Sequence, residues 1–220
     1  MKVLAVSASP RGAKSRTLQL VQAAADEARK AGAQVETVDL SKLAIKYCTG
    51  CGVCYAKGKC VHRDDFGGLY DDILACDGLI LGSPNYFRSV TAQLKTVIDR
   101  MADAIHCQLL TGKYGCAIAT AGGPAHREVT DYLTAVLIGF GANVVGSAGA
   151  AAAVPGAMDA AEKEARSLGK ALVDAIREKR PYPEQEAIHK ETRARFKMLV
   201  GMNRDAWPHE YQYWRSLGEV

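Results

Sequence analysis

The sequence predicts a doubly wound α/β fold, a five-stranded parallel sheet with helices on both faces. Three observations carry that expectation. Short apolar runs with little polar alternation read as buried parallel strands. Between them lie segments whose apolar residues recur every three or four positions, as on one face of a helix. Small polar and glycine residues then crowd the segments after the strands, where open α/β sheets bind their ligands.

The elements follow in order. "KVLAVS" (2–7) is the first strand, and Leu18, Val21, Ala25 and Ala28 mark a helix that Gly32 stops. "AQVETVDL" (33–40) alternates as a strand, 65–75 reads as a short helix, and "GLILGS" (78–83) as another buried strand. Leu94, Val97, Ile98, Met101 and Ile105 share one helix face. "YGCAIATA" (114–121) is the fourth strand, 127–138 a helix, and "ANVVGSAG" (142–149) the fifth strand. Asp159 and Glu162 resemble a capping box for a helix with Ala161, Ala165, Leu168 and Leu172 inward. "PYPEQE" reads as a linker at 181–186, dividing a domain of 1–180 from a helical, aromatic-rich tail of 181–220.

Composition narrows the function. The chain has 220 residues, 48% hydrophobic and 24% charged, which suits a globular protein with a sizeable core. Its net charge of +4 is spread out, without the Lys/Arg blocks of a nucleic-acid or membrane surface. No segment reads as a signal-peptide core or a membrane span, so a cytoplasmic protein is expected.

The strand ends carry the chemistry. "SASPRGAKSRT" (7–17) supplies Ser7, Ser9, Ser15 and Thr17 hydroxyls, Arg11, and the amides of a helix start. That combination suits a phosphate, although Ser15 also reads as an ordinary helix cap. The glycine fingerprints of dinucleotide and P-loop sites are missing, and "GFGANVVG" precedes a strand rather than following one. "GSPNYFRS" (82–89) brings Tyr86 and Phe87 to the next strand end, where a flat ring system can lie against an aromatic or where a hydrophobic staple can form. Gly122 and Gly123 after the fourth strand permit close backbone approach. A mononucleotide with a planar head fits all three.

"CTGCGVCYAKGKC" (48–60) spaces four cysteines as C-x2-C-x2-C-x5-C. In a reducing compartment a disulfide knot is disfavoured. An iron–sulfur cluster, a zinc site and a redox-reactive thiol loop remain; the start of the run matches ferredoxin ligand spacing, and Gly50, Gly52 and Gly58 let the loop fold around a bulky core. Cys76 and Cys116 read as small buried hydrophobes. Cys107 follows His106 without an evident acid to orient the pair. Asp64 or Asp65 is placed to anchor the loop, and Trp207, Tyr211 and Trp214 share a helical face suited either to the chain's own core or to a dimer interface.

The phosphate-loop segment, "GSPNYFRSVTAQLKTVIDR" and the glycine turn resemble the NAD(P)H-dependent FMN reductase group of flavodoxin-like proteins, over roughly residues 1 to 178. The resemblance implies a sheet of order 2-1-3-4-5 with FMN at the strand ends. It places Ser9, Arg11, Ser15, Arg16 and Thr17 around the phosphate. Pro84, Asn85, Tyr86 and Phe87 would flank the isoalloxazine, with Ala121, Gly122 and Gly123 closing over it. Many relatives carry a glycine-rich stretch ending in Gln-Glu where this chain has Gly-Pro-Ala-His-Arg-Glu (123–128), which leaves the nicotinamide side undefined. The cysteine run on this frame resembles the iron–sulfur flavoproteins and implies a [4Fe–4S] cluster on Cys48, Cys51, Cys54 and Cys60. An FMN-dependent oxidoreductase is expected, with ferredoxin or NAD(P)H as donor, a small-molecule electron acceptor, and a homodimer or homotetramer as assembly. The alternatives are a cluster-free NAD(P)H-dependent FMN, quinone or nitro-compound reductase, and an electron carrier or thiol redox sensor.

Overall fold

The computed structural model of the protein describes residues 1–219. Five parallel strands, β1 (Lys2–Ser7), β2 (Gln34–Asp39), β3 (Gly78–Pro84), β4 (Tyr114–Ala121) and β5 (Asn143–Ala151), pair in the order β2-β1-β3-β4-β5. This is the doubly wound, flavodoxin-like order. The period-two pleat sorts the strand residues between two cores. Leu4, Val6, Leu79 and Leu81 face the helices α3 (Phe66–Ala75), α4 (Ala92–Arg100) and α6 (His126–Gly139), whereas Val3, Ala5, Ile80 and Ile118 face α1 (Arg16–Lys30) and α7 (Ala157–Glu178). Gly169 brings α7 against α1 so closely that a methyl group there would overlap the Ala24 carbonyl.

Several sequence expectations need correction. The helix face from Leu94 to Ile105 belongs to two helices, α4 and α5 (Ala102–Cys107), separated at Met101. Asp159 does not cap α7: Gly156, with φ 76°, precedes a helix that begins at Ala157, and Glu162 accepts hydrogen bonds from Gln19 and Arg166 instead. Cys76, buried as a small hydrophobe, caps the end of α3. The linker is shorter than "PYPEQE", because α8 (Pro183–Met202) begins at its second proline. Gln185 is buried, and its amide both accepts from the Val144 N–H and donates to the Val144 carbonyl, each at 2.8 Å. The outer edge of β5 is thereby covered by a side chain that imitates a neighbouring strand.

The tail continues through α9 (Pro208–Ser216). The cysteine segment contains one short helix, α2 (Val53–Lys57), and α9 packs against both α2 and α5. Among the described residues no helix is long and apolar enough to cross a membrane.

Candidate functional site

A cavity of about 280 Å³ opens at the carboxyl ends of the strands. Ser9, Arg11, Ser15, Arg16 and Thr17 line it from the β1–α1 loop, Pro84, Asn85 and Tyr86 from the end of β3, and Ala121 and Gly122 from the end of β4. Ser15 caps α1, its Oγ accepting from the Leu18 N–H at 3.0 Å. The Ser9 hydroxyl accepts from the Arg11 N–H at 3.4 Å, and the Arg16 guanidinium donates to the Ala152 carbonyl. Thr17 and Thr120 join their hydroxyls at 2.7 Å, tying the first loop to β4. Two arginines and a helix N-terminus thus face one space, and among the described residues none lining it is acidic. Such a set of donors suits a phosphate dianion. Ser7 is buried at the end of β1 and does not line the cavity.

Two of the expected residues stand apart. Phe87 lies outside the lining and is fully exposed. The reason is the backbone: Tyr86 and Ser89 exchange N–H···O bonds at 2.9 and 3.0 Å, and Phe87 and Arg88 between them have φ values of 49° and 64°. A turn with two left-handed central residues sends the ring outward. Arg88 is held by two bonds to the Glu128 carboxylate, at 2.7 and 2.6 Å, and Asn85 donates to the Ala125 carbonyl at 2.9 Å. Gly123 also lies outside the lining, which instead gains Thr120 and Ala152. Thr120 lies one residue from the end of the apolar strand β4, and Ala152 follows β5, a strand end that sequence reasoning left unread.

The four cysteines of the loop line a second, smaller space of about 30 Å³, together with Tyr55, His62, Asp99 and Arg100. Cys48 and Cys51 are exposed; Cys54 and Cys60 are half-buried. Gly50, Gly52 and Gly58 have φ between 65° and 70°, a region that a side chain would oppose. Among the described residues no three His, Cys, Asp or Glu side chains form a set that could hold a metal ion. The Cys51 pKa is lowered by the Val53 N–H and then by the Thr49 hydroxyl, whereas burial, with the charge of Asp103 behind it, pushes Cys54 up to about 12. Asp65 accepts from the Ala44 N–H and Asp64 from the Lys46 N–H, so both aspartates anchor the loop. Burial drives the thiols of Cys76 and Cys116 up to about 11 and 12 and that of Cys107 upward as well, which keeps all three unreactive.

His106 does have an acid partner, which the sequence did not reveal. Its Nδ1 lies 3.0 Å from Glu210, and its ring stacks on Trp207 with 5.0 Å between centroids. Tyr55, beside Cys54, touches both rings at 4.9 Å. Trp214 is completely buried under Arg193. Both tail tryptophans therefore pack on their own chain, and Trp207 supports the cysteine loop through Tyr55.

Comparison with known proteins places these features. Residues 1–155 match the family described as NADPH-dependent FMN reductase. An iron–sulfur flavoprotein of Archaeoglobus fulgidus is 37% identical over 223 residues, covering 100% of both chains. The chain belongs to the NADPH-dependent FMN reductase family, in its iron–sulfur flavoprotein group. It is an FMN-dependent oxidoreductase. Among solved structures, a flavone reductase superposes with a TM-score of 0.65 at 19% identity, over 80% of this chain and 63% of that one. A flavodoxin from the domain Archaea gives 0.55 at 14%, over 80% and 99%. These structures share the fold.

Proposed function

We propose that this FMN-dependent oxidoreductase carries a [4Fe–4S] cluster on Cys48, Cys51, Cys54 and Cys60 and passes electrons between the cluster and FMN. The single observation behind this reading is that all four thiols line one space, on the same chain as a cavity lined by two arginines and a helix N-terminus. Zinc is usually held by two separated C-x-x-C pairs, whereas these four cysteines form one compact run. The relatives' description as iron–sulfur flavoproteins agrees. Bound FMN accepts one or two electrons and a [4Fe–4S] cluster one at a time, so the pair suits a one-electron donor such as ferredoxin and a two-electron small-molecule acceptor.

The protein's share is binding and orientation. Ser9, Arg11, Ser15, Arg16 and Thr17 hold the phosphate, while Pro84, Asn85 and Tyr86 flank the ring system. Ala121, Gly122 and the newly placed Thr120 form the opposite wall. The reading extends to a cytoplasmic location and to a homodimer or homotetramer, for which the fully exposed Phe87 ring next to the cavity-lining Tyr86 offers a contact point.

Anaerobic purification with flavin, iron and sulfide assays tests the proposal. The expected result is about four irons per chain, abolished by serine at any of the four loop cysteines while FMN stays bound. Cys76→Ser and Cys107→Ser should leave iron untouched. An iron-supplemented preparation with flavin but neither iron nor sulfide would sink the cluster. The competing reading is then a cluster-free NAD(P)H-dependent reductase with a reactive thiol loop, favoured by the exposed Cys51 and its lowered pKa. Rapid flavin bleaching by NAD(P)H marks that reductase, and reduction by ferredoxin or dithionite alone marks the electron carrier.

A further inference from the structure

Arg100 ends α4 with a side chain 0% exposed, paired to an Asp64 side chain only 6% exposed. Nη1 donates to the two Asp64 oxygens at 2.9 and 2.7 Å and to the Lys46 carbonyl at 3.1 Å. The guanidinium carbon lies 4.2 Å from the centre of the Phe66 ring. One nitrogen and one face of the fork thus fix the group, and Nη2 is left for another partner. That partner is the Cys60 sulfur, at 3.2 Å.

The guanidinium is planar and rigid, so once Nη1 is fixed on Asp64 the direction of Nη2–H is fixed as well. Anchoring the loop explains Asp64, Lys46 and Phe66, but it does not require a donor on sulfur. The Arg100–Asp64 pair is neutral as a whole, so the sulfur senses chiefly the local N–H donor. Hydrogen bonds to the sulfurs of an iron–sulfur cluster are among the levers that set its reduction potential. A donor stabilises the more negative, reduced state.

We propose that Arg100 is a positioning residue for the ligand Cys60, fixing its sulfur toward the shared space and raising the reduction potential of a cluster bound there. This inference rests on the cluster reading above.

The test uses the full-length protein, prepared anaerobically as Arg100→Gln, Arg100→Lys and Asp64→Asn, with FMN content and circular dichroism confirming the fold. Redox titration should give a lower cluster potential in Arg100→Gln. Arg100→Lys, which keeps the charge but not the fork, should move the same way and decides the matter if the glutamine variant fails to fold. Asp64→Asn keeps Nη2 near the sulfur but removes the neutralising carboxylate, so its potential should equal or exceed that of wild type, although it weakens the loop anchor. A wild-type potential in folded Arg100→Lys or Arg100→Gln overturns the proposal, as does an equal fall in Asp64→Asn. Alkylation of metal-free protein by iodoacetamide, mapped by peptide mass spectrometry, gives a readout independent of the cluster. Replacing Arg100 should change the rate at Cys60 by about threefold or more while Cys48 is unaffected. No change at Cys60, or equal change at all four cysteines, overturns the contact. A wild-type protein without iron would refute only the preceding section's reading, and the alkylation map would still decide the role of Arg100.

Discussion

His106 and Glu210, 104 positions apart in sequence, meet at 3.0 Å with the glutamate completely buried. The contact joins α5 to α9 near the C-terminal end of the chain, and Tyr55 of the cysteine loop rests against its imidazole. Burial raises the Glu210 pKa, and the bond to His106 works against that rise. The tail therefore holds the loop through a polar contact shielded from water rather than through apolar packing alone.

Removing that contact should loosen the loop without changing assembly. Glu210→Ala leaves His106 without its partner and should cost about 1–3 kcal/mol, the usual penalty for an orphaned buried group. Glu210→Gln keeps a hydrogen bond and removes a poorly solvated carboxylate, so it should cost less. Urea unfolding measures both, and sedimentation should match wild type because the tail tryptophans pack within one chain.

The phosphate loop should govern cofactor retention. Ser15→Ala removes a helix cap, costing about 1 kcal/mol of stability, and takes a hydroxyl from the cavity. Arg11→Ala removes a positive charge that makes no ion pair among the described residues, so its effect should fall on FMN rather than on folding. The double variant should weaken FMN binding by about tenfold or more, since charge-assisted donors to phosphate are the strong ones. Equilibrium titration of the apoprotein with FMN checks this, and an unchanged affinity would remove the loop from the site.

Glycine substitutions should separate packing from propensity. Gly169→Ala drives a methyl into the Ala24 carbonyl and must push α7 off α1, for a loss of about 1–3 kcal/mol or more. Gly67 and Gly68, in α3, have nothing within 4 Å of an added methyl. Alanine at either should stabilise by about 0.5–1 kcal/mol through helix propensity. Thermal unfolding of the three variants would show opposite signs.

What the sequence made legible is what depends on local pattern. Apolar runs marked the sheet, and polar residues just after β1, β3 and β4 marked most of the cavity. Phe87 was misjudged because aromatic character suggests stacking, while the two left-handed residues that turn it outward leave no signature in residue type. Ala152 contributes a carbonyl oxygen, which every residue has, so nothing distinguished it. Glu210 was invisible beside His106 because only the tertiary fold brings α9 across α5. The linker at 181–186 was overread, since proline at a helix start looks the same as proline in a loop.

The last prediction concerns acid. Asp64 is held down to about 2 by its hydrogen bonds from Arg100. Its folded pKa lies below the ordinary 3.8, so its contribution is fully present above about pH 4 and is lost as pH falls toward 2. A depression of that size corresponds to roughly 2 kcal/mol. Arg100 stays charged throughout, so protonating Asp64 leaves a buried guanidinium without its counter-charge, facing neutral partners such as the Lys46 carbonyl. In metal-free protein the stability difference between wild type and Asp64→Asn should therefore be largest above pH 4 and should shrink by about 2 kcal/mol by pH 2. Urea midpoints across that range measure it. A difference that stays constant from pH 5 to 2 would mean that Asp64 does not titrate in this window, and the Arg100 pair would then contribute little to holding the cysteine loop.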